Sequence, residues 1–238
     1  QEIDSIVTAT NRGFQIRPLD DISNVTLACT LPDGSPMIAN ALAVLRSGTI
    51  IFAGFDINTS LAVSSTNCSV LATCTPSSIY IGFSSDLMHS DDLFAMTDSS
   101  IIRVDPFSCT ETELCTSSPS GASAIELLGD DLYIVRNDGI HRILGFRTGS
   151  CTESFLVAAP CLGLAMARLD DGILLYLCFN RRLFSFDPSV PSFVELAQDI
   201  PALASLASGQ FQGQQQVPPT ISPTEAPTDA PNVSPTPN

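Results

Sequence analysis

The chain has 238 residues, 44% of them apolar and 15% charged, and its 25 acidic residues against 10 basic ones leave a net charge of -15. That charge repels nucleic-acid phosphates and anionic lipid surfaces, and a chain whose basic residues are all Arg, with neither Lys nor Trp, offers no Schiff base, no Walker phosphate loop and no Trp platform for sugars. No apolar run approaches the ~20 residues that span a bilayer, so no membrane insertion is expected, and eight cysteines without CxxC spacing point to disulfides in an oxidising compartment.

Gln1 opens directly on strand-like sequence, as a mature secreted chain would. Five runs then stack: SIVTATN (5–11), IIFAGFD (50–56), DLFAMTD (92–98), DLYIVRN (131–137) and LLYLCFN (174–180). Each is apolar, rich in β-formers and closed by Asn or Asp, and those closing residues stand 45, 42, 39 and 43 apart, the period of propeller blades. A second strand follows each run, as in 99–106, 138–146 and 181–188, so Asn11, Asp56, Asp98, Asn137 and Asn180 fall at hairpin turns, where a short polar side chain tolerates left-handed backbone.

Another strand precedes four of the runs, at 39–45, 77–83, 121–128 and 162–169. The first run has none, and its missing neighbour stands at the far end, at 201–208. These candidate inner strands alternate small residues (Ala39, Ala41, Ala43; Gly163, Ala165, Ala167; Ala202, Ala204), which lets sheets converge on a narrow axis. The pattern predicts an all-β fold over residues 1–209: a five-bladed β-propeller with four strands per blade, closed by a C-terminal strand joining the N-terminal blade. An ordinary β-sandwich would alternate in a similar way but would lack the period and the terminal exchange.

The stretches DLFAMTDSSIIRVDP and LLYLCFNRRLFSFDP resemble the blade motif of NHL- and YVTN-like repeat propellers across most of residues 5–208. That resemblance implies a binding or scaffold surface and no particular chemistry.

All eight cysteines are candidate disulfide partners. Cys68 with Cys74 and Cys109 with Cys115 each show C-x5-C spacing, Cys151 and Cys161 lie further apart, and Cys29 and Cys178 remain. The simplest scheme pairs them in that order. It carries a geometric objection: six extended steps separate two Cα atoms by ~20 Å, and a disulfide needs about 4.4–6.8 Å, so local pairing requires a looped segment.

Catalytic readings are poor. A glycosidase needs two carboxylates at the axis, and the expected inner strands hold one acid, Glu126. A serine hydrolase needs His, Ser and Asp together, and the chain has only His89, beside an acidic turn, and His141, within a strand; they do not form a metal pair. Paired aspartates at 91–92, 130–131 and 170–171 gather in turns of one face, where they could offer oxygen ligands to Ca²⁺ or simply remain solvated turn residues. No catalytic residue, metal ligand or cofactor is assigned.

Residues 210–238 change character. Prolines at 219, 223, 227, 231 and 235 recur every fourth residue, which favours polyproline II and rules out a packed core. The segment resembles the Pro/Thr-rich stalks of algal and protist extracellular glycoproteins, which implies O-glycosylation at Thr220, Thr224, Thr228, Ser234 and Thr236. Sequons at Asn24, Asn58, Asn67 and Asn232 add candidate N-linked sites. The expected protein is thus a secreted structural or adhesive glycoprotein of a coat, wall or fibre. Its partners would be covalent glycans and copies of itself or other extracellular glycoproteins, with a lectin-like binding propeller as alternative and a secreted hydrolase disfavoured.

Overall fold

The computed structural model describes residues 5–10, 13–18, 21, 24–30, 39–54, 59–86, 90, 92–116, 121–169, 172–198 and 206–209. They form five sheets of four antiparallel strands. In blade 1, β1 (Ser5–Thr10), β2 (Gly13–Pro18) and β3 (Leu27–Thr30) are preceded in space by the last strand of the chain, β20 (Leu206–Gly209). Blade 2 is β4 (Ala39–Val44), β5 (Thr49–Gly54), β6 (Thr59–Ser64) and β7 (Val70–Cys74). Blade 3 is β8 (Gly82–Ser85), β9 (Leu93–Met96), β10 (Ser100–Asp105) and β11 (Thr110–Thr116). Blade 4 is β12 (Ala124–Leu128), β13 (Asp131–Arg136), β14 (Gly139–Leu144) and β15 (Thr152–Val157), and blade 5 is β16 (Gly163–Arg168), β17 (Leu174–Cys178), β18 (Leu183–Asp187) and β19 (Ser192–Ala197).

The ring closes as expected. β20 pairs with β1 from Ser5↔Gly209 to Thr8↔Leu206, so the amino-terminal blade takes its innermost strand from the other end of the chain. One expected inner strand is displaced: in place of 77–83 the strand is Gly82–Ser85, and Ser77–Ile81 belongs to the link from blade 2, where Glu111 accepts hydrogen bonds from the Ser77 amide and the Tyr80 hydroxyl. The link joins the sheet edge at Ile81, whose amide donates to the Met96 carbonyl at 2.7 Å. Residues 201–205 of the expected closing strand lie outside the described residues.

Burial explains why alternation reads so clearly. Each side of a blade packs against a neighbouring blade, and five apolar clusters fill the five junctions. Phe14 of blade 1 meets Phe52 of blade 2 edge to face, and Phe94 of blade 3 meets Phe146 of blade 4. These contacts expose a slip in the stacked runs, which equate Phe52 with Phe94 although the two point to opposite neighbours. Between the second and third strands, blades 1 and 4 hold two residues (Thr10↔Gly13, Arg136↔Gly139), whereas Gly54↔Thr59 encloses four and the Cys178–Arg182 hydrogen bond encloses three. Longer turns shift the alignment by one residue, and in a period of two that shift exchanges faces.

The cysteines correct the local scheme. All eight are bonded, as Cys29–Cys68, Cys74–Cys109, Cys115–Cys151 and Cys161–Cys178, with Cα separations of 5.5, 5.4, 5.9 and 6.0 Å. None of the pairs Cys68–Cys74, Cys109–Cys115, Cys151–Cys161 or Cys29–Cys178 forms. The objection from strand length holds, because Val70–Cys74 and Thr110–Thr116 are extended outer strands rather than loops. Twist supplies the partner instead. Rotation of about 20–25° per strand turns an outer strand roughly 60–75° from its inner strand, so outer strands run around the rim and the end of one meets the start of the next. Cys68, Cys109 and Cys151 sit just before these starts with φ of 59, 61 and 41°, left-handed turns that direct each toward the preceding blade.

Three bridges therefore rivet junctions 1–2, 2–3 and 3–4, and the fourth ties the link entering blade 5 to β17. Junction 5–1 has no bridge and closes through the β20–β1 pairing.

Candidate functional site

At the axis the inner strands carry one acid, Glu126, on the face of β12 turned toward blade 5. The Ser84 hydroxyl donates to Glu126 Oε1 at 3.2 Å, and the Leu127 N–H donates to Ser84 Oγ at 2.7 Å. Burial pushes the Glu126 carboxyl up to about 8, against the opposing pull of the Arg168 guanidinium and these hydrogen bonds. Arg168, 3% exposed, faces it from β16. The nearby cavity, lined by Leu42, Phe83, Ile125, Met166 and Leu206 among others, holds about 10 Å³, space for one water and none for a sugar. Small side chains at Ala41 and Ala43, between blades 2 and 3, and at Ala165 and Ala167, between blades 5 and 1, let the inner strands approach one another.

Two faces flank the axis. The lower face collects turns between first and second and between third and fourth strands; the upper face collects turns between second and third strands and the links between blades. Of the paired aspartates expected in turns of one face, Asp91, Asp170 and Asp171 lie outside the described residues. The others meet arginines. Arg147 binds buried Asp86 at 2.5 Å, stands 3.9 Å from Asp92 and 4.0 Å from Asp130, and lies over the Phe94 and Phe146 rings. Arg142 Nε donates to Asp131 at 2.9 Å. No group of three ligating side chains is assembled for a metal among the described residues.

Two surface features had no clear sequence signal. A groove of about 520 Å³ on blade 3 is lined by Asp92, Arg103, Asp105, Phe107 and Thr112 among others. The Asp105 carboxylate accepts the Phe107 and Ser108 amides at 2.9 and 3.1 Å, which shapes the groove's turn and holds its own pKa below the usual carboxylate value. On the upper face, Leu162 and Phe179 stand 54% and 58% exposed beside the Cys161–Cys178 bridge. His141 lies on β14, mostly buried, with its two ring nitrogens 2.9 Å from Asp138 and from Glu153; His89 is outside the described residues.

Of the candidate glycosylation residues, Asn24 and Asn67 are exposed, both in turns between third and fourth strands on the lower face. The Asn67 side-chain oxygen accepts the Ser69 amide and hydroxyl at 3.1 and 2.7 Å, next to bridged Cys68. Asn58, Asn232, Thr220, Thr224, Thr228, Ser234 and Thr236 lie outside the described residues.

The chain is thus a five-bladed, disulfide-bonded β-propeller. It matches no protein-family model and no curated protein, so the NHL/YVTN-like blade motif carries the architecture and not a family membership. Solved structures are similar in fold. A chain from a nidogen/laminin complex superposes with a TM-score of 0.60 at 10% identity, covering 86% of this chain and 97% of that one. The Cps50 (Swd1) propeller domain of Myceliophteria thermophila gives 0.53 at 15%, covering 82% and 68%. A virginiamycin B lyase from Staphylococcus aureus gives 0.52 at 14%, covering 82% and 65%.

Proposed function

We propose that this chain is an extracellular structural or adhesive glycoprotein, a disk that builds a coat, wall or fibre and works without catalysis. The rim carries the reading: three interblade bridges lock neighbouring sheets together and a fourth pins the link entering blade 5 to that blade's β17, while the axis is packed with side chains. Such a disk resists distortion and offers its faces and edges for contact. Bridges of this kind persist in oxidising compartments, which supports secretion. The nidogen/laminin complex provides a precedent for the same architecture within a protein–protein complex. The regular Pro/Thr tail supports a spacing stalk carrying sugars.

Sedimentation velocity and negative-stain imaging of the full chain, expressed in a secretory host, test the reading. Concentration-dependent oligomers or filaments are expected. Compact monomers across the whole concentration series would overturn it.

The blade 3 groove favours a second reading, a ligand-binding propeller, since Arg103, two carboxylates and Phe107 share one concavity. A glycan array on which wild type binds and Phe107→Ala does not would establish it; an array with no hits would remove it.

A further inference from the structure

The upper-face pair Leu162 and Phe179 forms part of a built knob. The Phe179 amide donates to the Leu162 carbonyl at 3.1 Å, the Cys178 amide to Arg182 at 2.9 Å and the Arg181 amide to Cys178 at 3.0 Å, and the Cys161–Cys178 bridge clamps its base. Arg181 has a φ of 64°, a left-handed conformation disfavoured for any residue with a Cβ. The three-residue turn demands that conformation at its last position, and the sequence places a cation there where Gly or Asn would fit with less strain. The two adjacent arginines differ in use. Arg182 is held by Glu195 and lies over the Phe184 ring, whereas Arg181 is exposed and makes no ion pair among the described residues.

An exposed aromatic, an exposed aliphatic and a guanidinium without an ion pair among the described residues, all on a rigid turn, suit an acidic, proline-rich strand: prolines pack on aromatic surfaces in polyproline II, and a carboxylate meets the arginine. The chain contains such a strand. Its last 20 residues, Pro219 to Asn238, hold Glu225 and Asp229 and no basic residue. Topology places the knob on the face opposite the one at which the chain leaves its last described strand. β1 runs from the lower to the upper face, β20 runs antiparallel to it, and so the chain leaves Gly209 at the lower face. We propose that residues 219–238 of one copy dock on the Leu162–Phe179–Arg181 knob of the next, joining disks head to tail.

This inference rests on the self-associating reading above and names its contact. The contact is heterologous, a tail against a knob, and such contacts build rings or open chains rather than isologous dimers. Reach is sufficient: the 29 residues from Gln210 to Asn238 extend up to about 90 Å at ~3.1 Å per residue, several times the ~20 Å height of a six-residue strand.

Sedimentation velocity of the full chain, with and without an excess of a synthetic peptide spanning residues 219–238, is the test. The expected result is that the peptide dissolves the assemblies, that the same peptide carrying Glu225→Gln and Asp229→Gln needs at least tenfold more to do so, and that the Phe179→Ser/Arg181→Asp chain stays monomeric. Arg181→Lys, which keeps the charge, should assemble. Unchanged melting of the double variant separates a lost contact from a lost fold. Assemblies indifferent to the peptide and to both substitutions would overturn the inference while the structural reading stands. Monomers at every concentration, with no binding of a fluorescein-labelled 219–238 peptide to the full chain, would overturn both; monomers in which the knob is shielded from hydrogen exchange until the tail is removed would show the tail folded on its own disk and overturn the head-to-tail contact.

Discussion

Replacing Cys74 and Cys109 together by alanine should weaken the disk in proportion to the chain their bridge encloses. Alanine is preferred to serine because Cys74 is 4% exposed, and a hydroxyl buried there would add its own desolvation cost. The bridge spans 35 residues, for which loop-closure entropy predicts about 4 kcal/mol at 25 °C. In a protein of this size that loss lowers Tm by about 8–16 °C. Cys161–Cys178 spans 17 residues, so its removal should cost about 3 kcal/mol, a smaller drop. The loops 29–68, 74–109, 115–151 and 161–178 do not overlap in sequence, so the costs of two deletions should add. Urea titration with calorimetry measures the loss, and non-reduced peptide mapping identifies the linkage. A deficit under about 1 kcal/mol, or a map joining Cys68 to Cys74, would refute the interblade rivet.

Glu126 makes stability fall with rising pH. Its carboxyl is held near 8 in the folded protein against an ordinary value of 4.5, so the native state keeps a proton that the unfolded chain releases, and stability declines between those two values by a few kcal/mol. Glu126→Gln should flatten denaturant midpoints between pH 5 and pH 8, and equal slopes in both proteins would contradict the assignment. A chain ending at Ser205 lacks β20 and leaves the β1 edge open, so it should aggregate on refolding; a chain ending at Gln210 should refold, and equal melting of the two would disprove closure by pairing. Two glycines should separate crowding from backbone preference. A Cβ at Gly139 would lie 2.1 Å from the Val157 carbonyl oxygen, so Gly139→Ala should cost more than about 3 kcal/mol, whereas Gly129 has φ +63° and nothing within 4 Å, so Gly129→Ala should cost about 1 kcal/mol; chemical denaturation reads both, and the reverse order would reject the account.

The ring was legible because propeller blades are local. Strands that pair within a blade are consecutive in sequence, so the alternation of SIVTATN, DLFAMTD and DLYIVRN directly reports burial between two neighbours. The terminal exchange was legible for a related reason: one blade lacked an inner strand and the other end had one to spare. Glu126 stood out as the inner-strand acid, but only its burial in the packed centre of the ring raises its pKa, against the lowering pull of Arg168 and Ser84.

Composition and period by themselves determine an acidic, cysteine-rich, five-part β-ring with a proline-periodic tail. Only the tertiary structure decides which cysteines meet, because strand twist brings outer strands end to end around the rim, and twist accumulates across a sheet without leaving a mark in the spacing of C-x5-C. The same holds for the faces of Phe52 and Tyr176, which a one-residue shift of the alignment reverses, and for the knob at Phe179, whose neighbour Leu162 is separated from it in sequence by the whole β16–β17 hairpin. A sequence records which residues prefer burial; the angle at which sheets cross decides what each one is buried against.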